Sequence, residues 1–522
     1  MKSARIIYHL ARADFLERVR RYSFLVMVGL VVFLGYQTAI GNMALELGQY
    51  RGEYNSAWVG AMMSLIAAFF LGWFGFYLVK GSVARDRETG VGQIMATTPL
   101  TRPLYLVGKL FSNFAVLMAM VVVLALAGLV IQFLQGESTQ IDLAAFLAPF
   151  LFIATPLMML VAAVAVLFET IPFLQGGFGN VVYFFLFITA LPIFIENDTL
   201  QNIPALEPTG LALLSDQMST AVSKLYSDYD GSFTLGGGMT PAATTFVWEG
   251  VHWTANILFM RFALILLAVA LTLFGAIFFD RFDPSRSKPK RMNAKRNASD
   301  SAEPVPALRT SPPTVSLTAL NHAANRFSFF NVLLAELKLL VKGQRWWWYA
   351  GAAGLIIASI ASPTEVVHQF ILPLAWAWHI LLLSPIGNRE ARDNVQQMAF
   401  SSASPMWRQL PAQWLAGFIV TFVMGSGALL NFIINSDSVG LFALLSGALF
   451  IPSLALALGV WSGTSKPFEI VYLTLWYLGP LNNVPKLDFI GARSDGHPQI
   501  FIPFSLALIA FAFFGRARQL RN

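Results

Sequence analysis

Long apolar runs that carry almost no charge dominate this chain, and they limit its folding more than any other feature. A stretch of roughly 17–25 apolar residues crosses a bilayer as a helix, because backbone in hydrocarbon has no water to bond and must satisfy its own N–H and C=O groups. Six such runs precede residue 280: Ser23 to Ile40, Ala57 to Val79, Leu110 to Phe133, Leu143 to Phe168, Gly179 to Ile195 and Phe262 to Phe279. Six more follow a polar break: Trp346 to Ile360, Val367 to Ile386, Trp414 to Ile434, Val439 to Trp461, Phe468 to Leu481 and Ile500 to Phe514. The seventh, eleventh and twelfth are short or interrupted, so ten or eleven spans also fit. Charged residues make up only 12% of the chain, against ~25% in soluble domains. The expected fold is an all-α polytopic membrane protein with about twelve transmembrane helices.

With both termini on the cytoplasmic side, only Arg51, Lys224, Arg261, Lys486 and Arg493 of the 35 Lys and Arg fall outside. That asymmetry is what the positive-inside rule demands. The apolar run after the basic N-terminus lacks a small-residue cleavage site, so it reads as an uncleaved first span. Residues 283–325 are rich in Pro, Ser, Lys and Arg and hold too few apolar residues to offset chain entropy, which predicts a disordered cytoplasmic linker. The basic cluster from Arg281 to Arg296 suits anionic lipid rather than nucleic acid. Trp346, Trp347, Trp348 and Tyr349 read as a headgroup-level anchor. The linker separates a first six-span half, 1–282, from a second, 326–522. The first carries an acidic outside loop, 196–260, whose Phe246, Trp248 and Trp253 are expected to seat its return.

The halves resemble each other. Each opens with a charged amphipathic stretch, then a pair of spans, then an acidic-basic loop. With one gap, Arg87, Glu88, Gln93, Met95 and Ala96 fall on Arg389, Glu390, Gln396, Met398 and Ala399. Two six-helix pseudo-repeats follow, a common transporter plan.

Chemistry-bearing motifs are scarce. There is no cysteine, hence no thiolate site. No phosphate loop occurs, and Gly463-Thr464-Ser465-Lys466 lacks the spacing to cradle phosphates. Glu365 and His368 form an E-x-x-H without further ligands, which does not make a metal site. His379, between Trp376 and Trp378, is the clear ionisable group within a span, and its alternatives are a neutral imidazole bonded to a neighbouring helix or a proton relay. Glu169, at the end of the fourth run, is expected to reach water. Ion-coupled transport normally needs carboxylates near the midplane, so an external energy source is expected. No catalytic, cofactor-binding or metal-binding residue is expected.

The loop after the second span reads Arg85, Asp86, Arg87, Glu88, Thr89-Gly90, a short helical run through Met95, Pro99, Arg102 and Gly108-Lys109. Its apolar ridge predicts a short surface helix suited to a partner's groove. The pattern Arg87-Glu88-Thr89-Gly90-Val91, Gln93-Ile94-Met95, Thr98-Pro99, Arg102 and Gly108-Lys109 resembles the membrane permease subunits of type-2 ABC exporters, with Val91 in place of the usual Thr and Gln93 in place of a common Glu. The resemblance covers the first 280 residues, including the closing Phe278 to Pro284, and the second half more loosely. There Glu390 is followed by Ala391-Arg392-Asp393 and Ser404-Pro405 comes later.

This resemblance implies a permease with no ATPase activity of its own, driven by a separate ABC ATPase subunit in two copies. It would export its substrate across the plasma membrane of a bacterial or archaeal cell, and the charge-poor, aromatic-rich spans favour an amphipathic or lipophilic one. The implied ATPase contacts are Arg87, Glu88, Gly90, Met95, Pro99 and Arg102, with Arg389 and Glu390 in the second half. An N-terminal interface helix bearing Asp14, Glu17, Arg20 and Arg21 would join them. Two other classes stay open: a multi-pass scaffold or assembly protein, and an ion-coupled secondary transporter.

Overall fold

The computed structural model of the protein describes residues 2–135, 137, 140–196, 203–236, 244–282, 328–342, 344–402, 404–482, 484–492 and 496–521. The chain divides into two compact units, Met1–Phe282 and Asp283–Asn522. The expected linker 283–325 lies outside the described residues.

The architecture is helical, with strands of only two or three residues among the described residues. Each expected span overlaps a helix, yet length and apolarity support fewer crossings than twelve. Among the described residues, seven helices are long and apolar enough to cross a membrane, or nine if each of two bent pairs is one span. Gly177–Ala190 and Trp346–Ala361 are shorter apolar helices. The eleventh run is a helix, Lys466–Trp476, that passes into a π-turn holding Pro480, where the ring removes a backbone donor.

In the first unit, helix Lys2–Val19 carries the charges and Tyr22–Ala39 carries almost none. The chain bends by 75° between them, since one segment prefers water and the other hydrocarbon. Helix Ser56–Val79 is started by Asn55, whose side chain accepts from the Trp58 N–H at 2.9 Å, a standard cap. It stops at Lys80, and Gly81 follows with φ +112°, a conformation that favours glycine. Two short helices, Ser82–Glu88 and Val91–Ala96, then lead into Arg102–Gln135. The next helix pair, Leu143–Pro149 and Thr155–Thr170, is joined by a π-turn between Pro149 and Pro156. Gly177–Glu196 and Ala255–Phe278 complete the apolar helices.

At the end of this unit away from the short helices, the loop's helix Leu211–Leu225 and two small sheets pack together. Leu45–Glu46 pairs with Thr234–Leu235, and Tyr50–Gly52 pairs with Thr244–Phe246. Phe246 and Trp248 are buried edge-on against Trp58, which seats the loop's return on the second apolar helix.

The second unit has the buried helix Ser438–Ser462 at its centre, packed on Pro405–Met424 and Phe501–Gln519. Its opening helix Phe329–Val341 lies along Pro405–Met424, as Lys2–Val19 lies along Arg102–Gln135.

Candidate functional site

The first loop is held from below by Glu169. Its carboxylate accepts from the N–H groups of Gly81 (2.8 Å), Ser82 (3.0 Å), Val83 (2.6 Å) and Ala84 (3.0 Å), and from the Ser82 hydroxyl (3.1 Å). The first N–H groups of a helix have no partner within it, and the helix dipole favours an anion there. Glu169 is buried, so it does not reach water as the sequence suggested; helix Ser82–Glu88 takes the place of solvent. Lys80, also buried, donates to the carbonyls of Leu174 and Gly176 and to Asn180 Oδ1.

Inside the loop lies a node of buried charge. Lys109 Nζ sits 2.6 Å from Asp86 and 2.7 Å from Asp14. Tyr105 donates its hydroxyl to Asp86 at 2.8 Å. Arg85 reaches Asp14 at 3.0 Å and also pairs with Glu17. Arg18 donates to Asn113 at 2.6 Å. A buried charge persists only when paired and hydrogen-bonded, and here acids and bases are matched. Asp14, expected to meet a partner protein, is therefore spent inside the fold. Glu17, Arg20 and Arg21 are exposed, with Arg21 on Glu17 at 2.6 Å.

Above the node, Val83, Tyr105, Leu106, Val166, Ala276, Phe279 and Phe282 form one cluster against which Leu10, Met95 and Leu100 pack. Gly92 permits this: a Cβ there would stand 2.6 Å from the Phe282 ring. Arg87 reaches Asp280 at 3.3 Å, and Arg281 donates to the Thr98 carbonyl at 2.7 Å. The outward surface holds Arg87, Glu88, Thr89, Pro99 and the apolar pair Val91 and Ile94. Arg102 is half-buried at the start of its helix. Met95, an expected contact, turns inward, and Ile94 faces out in its place. Gly90, at φ +75°, makes the corner between the two short helices.

The second unit repeats this geometry in a register different from the expected one. Arg389 pairs with Glu336 on the preceding amphipathic helix at 2.7 Å, as Arg85 does with Asp14. Glu390 is buried and accepts from Gln409 and Gln413, each at 2.7 Å, as Asp86 accepts from Tyr105 and pairs with Lys109. Each residue stands 304 positions before its counterpart (85 to 389, 86 to 390, 105 to 409, 109 to 413). No gap is needed from Arg85 to Leu110. Hence Arg389 and Glu390 answer to Arg85 and Asp86, not to Arg87 and Glu88, and Glu390 is an interior group. Asn394 takes the left-handed corner at φ +55° where Gly90 has it, a conformation asparagine tolerates. Val91 and Ile94 are 40% and 69% exposed; Val395 and Met398, their counterparts, are 37% and 74% exposed.

A family model described as ABC-2 family transporter protein matches residues 8–283, more than half of the chain. The chain belongs to this family. It is a multi-pass membrane component of the ABC transport machinery, in a family that works with a separate ATPase subunit. No curated protein matches the chain.

The ABC-2 match covers the first unit, so the second loop's likeness to the first rests on geometry and register. His379 is buried, with Nδ1 3.2 Å from the Ala375 carbonyl and Nε2 3.1 Å from Thr421 Oγ1 on helix Pro405–Met424. Sequence reasoning placed Lys109 in the ABC-2 loop without its buried ion pairs, and missed Tyr105 and Glu169 there and Gln409 and Gln413 in the second. The constant offset was the signal that finds four of these five.

Proposed function

We propose that the protein is a fused, two-half exporter permease, with each half presenting one loop to one copy of a separate ATPase. The observation that carries this reading is the recurrence of one outward apolar pair, Val91 and Ile94, then Val395 and Met398, each above a buried carboxylate node. Exposed apolar side chains on a rigidly backed short helix suit a groove in a soluble partner. The basic loops and both termini then face the cytoplasm, as the charge asymmetry favours, in a bacterial or archaeal plasma membrane.

Transport proceeds by alternating access. Closure of the ATPase pair on nucleotide pushes both loops and rocks one helix bundle against the other. Work is transferred only if the partner interacts unequally with the two states.

An amphipathic or lipophilic cargo is favoured by a cleft of about 400 Å³ in the first unit, into which Ile66, Phe69, Phe70, Trp73 and Phe74 project. These positions make one face of an otherwise buried helix, and Phe184 and Phe187 pack on Trp73.

The test is Ile94→Asp combined with Met398→Asp in the tagged protein, purified in gentle detergent. The expected result is loss of the co-purifying ATPase with membrane insertion intact; full recovery of the ATPase overturns the docking reading. Stimulation of ATP hydrolysis by amphipathic compounds in reconstituted vesicles then separates an exporter from a scaffold.

A further inference from the structure

The two loops share a register but not a source of positive charge. In the first, Lys109 on helix Arg102–Gln135 bridges Asp86 and Asp14, so the loop is fastened to the helix that directly follows it. In the second, the equivalent position is Gln413, which donates to Glu390 at 2.7 Å but brings no charge. Glu336 and Glu390 are both buried, and Arg389, paired with Glu336, neutralises only one. Two buried carboxylates need a second cation.

Arg516, 1% exposed near the end of helix Phe501–Gln519, supplies it. Its Nη2 lies 3.3 Å from Glu390 Oε2, and its guanidinium stands 4.8 Å over the ring of Phe400. Thus it touches both short helices of the loop, Arg389–Arg392 and Gln396–Phe400. Neighbouring contacts brace the same helix: Gln519 donates to the Val460 carbonyl at 2.6 Å, and Trp461 donates to the Phe511 carbonyl at 2.9 Å.

Only one arm of the fork is engaged, at the long end of hydrogen-bond range, and the Nε–H has no partner among the described residues. A guanidinium favours two parallel bonds to a carboxylate, and here one is made.

We propose that Arg516 is a positioning residue that ties the second loop by buried charge to helix Phe501–Gln519, whereas the buried charge tie of the first loop runs to Arg102–Gln135. The first loop moves Arg102–Gln135 through Lys109, and the second moves Phe501–Gln519 through Arg516. The fastening stands on geometry alone; its use in transport rests on the docking reading above.

The test has one arm without the ATPase and one with it. In the full chain in lipid nanodiscs, Arg516→Gln should speed amide exchange of Gln396–Phe400 on the order of tenfold and leave Val91–Ala96 unchanged. Lys109→Gln should do the reverse. Phe400→Leu, which keeps the ion pair, should give a smaller increase confined to Gln396–Phe400, and it stands in if Arg516→Gln fails to fold. Loosening of both loops by either variant, or no change at Gln396–Phe400 in any of them, overturns the proposal.

Since the chain has no cysteine, single fluorescent labels at Leu520→Cys and Phe111→Cys report each helix in the complex with the ATPase. The expected result is that Arg516→Gln abolishes the ATP-dependent signal at position 520, keeps that at 111 and keeps the ATPase bound. A signal that persists at 520, or is lost at both positions, overturns the linkage. Failure of the ATPase to co-purify with the unaltered chain instead sinks the docking reading and leaves the exchange result to decide the fastening.

Discussion

Asp86 and Glu390 hold the same post in the two units: each is buried and held by the residues 19 and 23 positions further along the chain, through a hydrogen bond and an ion pair for Asp86 and two hydrogen bonds for Glu390. A spacing of four between the donors puts both on one helix face, so a single face of the following helix grips the loop in each unit. The grip is ionic in one and neutral in the other. That difference decides which substitution hurts which unit.

Lys109→Met leaves Asp86 and Asp14 buried beside each other with their shared cation gone. Breaking a buried pair by removing one partner costs about 3–5 kcal/mol, and this lysine serves two acids. The expected outcome is a fall of that order in unfolding stability, followed by tryptophan fluorescence in detergent micelles under denaturant. Adding Asp86→Asn to Lys109→Met should recover part of the loss, because one stranded charge is removed. A double variant no more stable than the single one would show that the two groups are not coupled.

Glu169→Gln removes the charge of the cap and turns one of its two accepting oxygens into an NH2 donor that faces backbone N–H groups. Hydrogen bonds to a charged group contribute about 1.5–3 kcal/mol each and neutral ones roughly half that, so weakening several N–H contacts at once should fray helix Ser82–Glu88 first. Hydrogen exchange at the Val83 and Ala84 amides should rise, while the amides of Leu117 and Met120, deep in the next helix, stay protected. Equal protection at Val83 in both proteins would mean the charge is irrelevant.

Much of this was legible in the residues and some of it was not, for identifiable reasons. Apolar runs located the helices because hydrocarbon leaves the backbone no alternative. The chain's charges misled in two ways. Asp14, Lys109, Glu169 and Arg516 lie outside or at the edges of the apolar runs, where the positive-inside rule and water access account for charge without any need for burial; their pairing is a tertiary fact that no periodicity encodes. The second error was register. Matching Glu88 to Glu390 aligned like charges, whereas the fold aligns like positions: Asp86 with Glu390, Gly90 with Asn394, and Ile94 with Met398. The choice of Met95 over Ile94 as an outward residue failed similarly, since both belong to the ridge and only the cluster around Phe282 decides which turns in.

Gly90→Ala forces a Cβ into a left-handed corner at φ +75°. The strain is about 1–2 kcal/mol, although the space around Gly90 is open. Gly90→Asn should cost clearly less, because Asn394 occupies the matching corner at φ +55° in the other loop. Thermal unfolding of the two variants side by side checks the order. Equal losses would place the penalty in side-chain bulk rather than in backbone conformation.

Acid should loosen the small folded region at the far end of the first unit. Arg51 holds Glu137 at 2.5 Å and 2.9 Å, and Glu137 also accepts from the Tyr54 N–H at 2.8 Å. The bond from Arg51 is the main reason this carboxyl titrates below its ordinary value, with the Tyr54 N–H adding to it and burial opposing both. A carboxyl depressed in the folded state contributes stability above its unfolded value, near 4.5, and loses that contribution as pH falls through the lower folded value. Exchange at the Tyr54 amide, corrected for the intrinsic rate, should therefore be flat from pH 7 down to about 5 and rise below about 4. Glu137→Gln should show raised exchange throughout and no acid step. An acid step that survives in Glu137→Gln would overturn the assignment of the titration to Glu137.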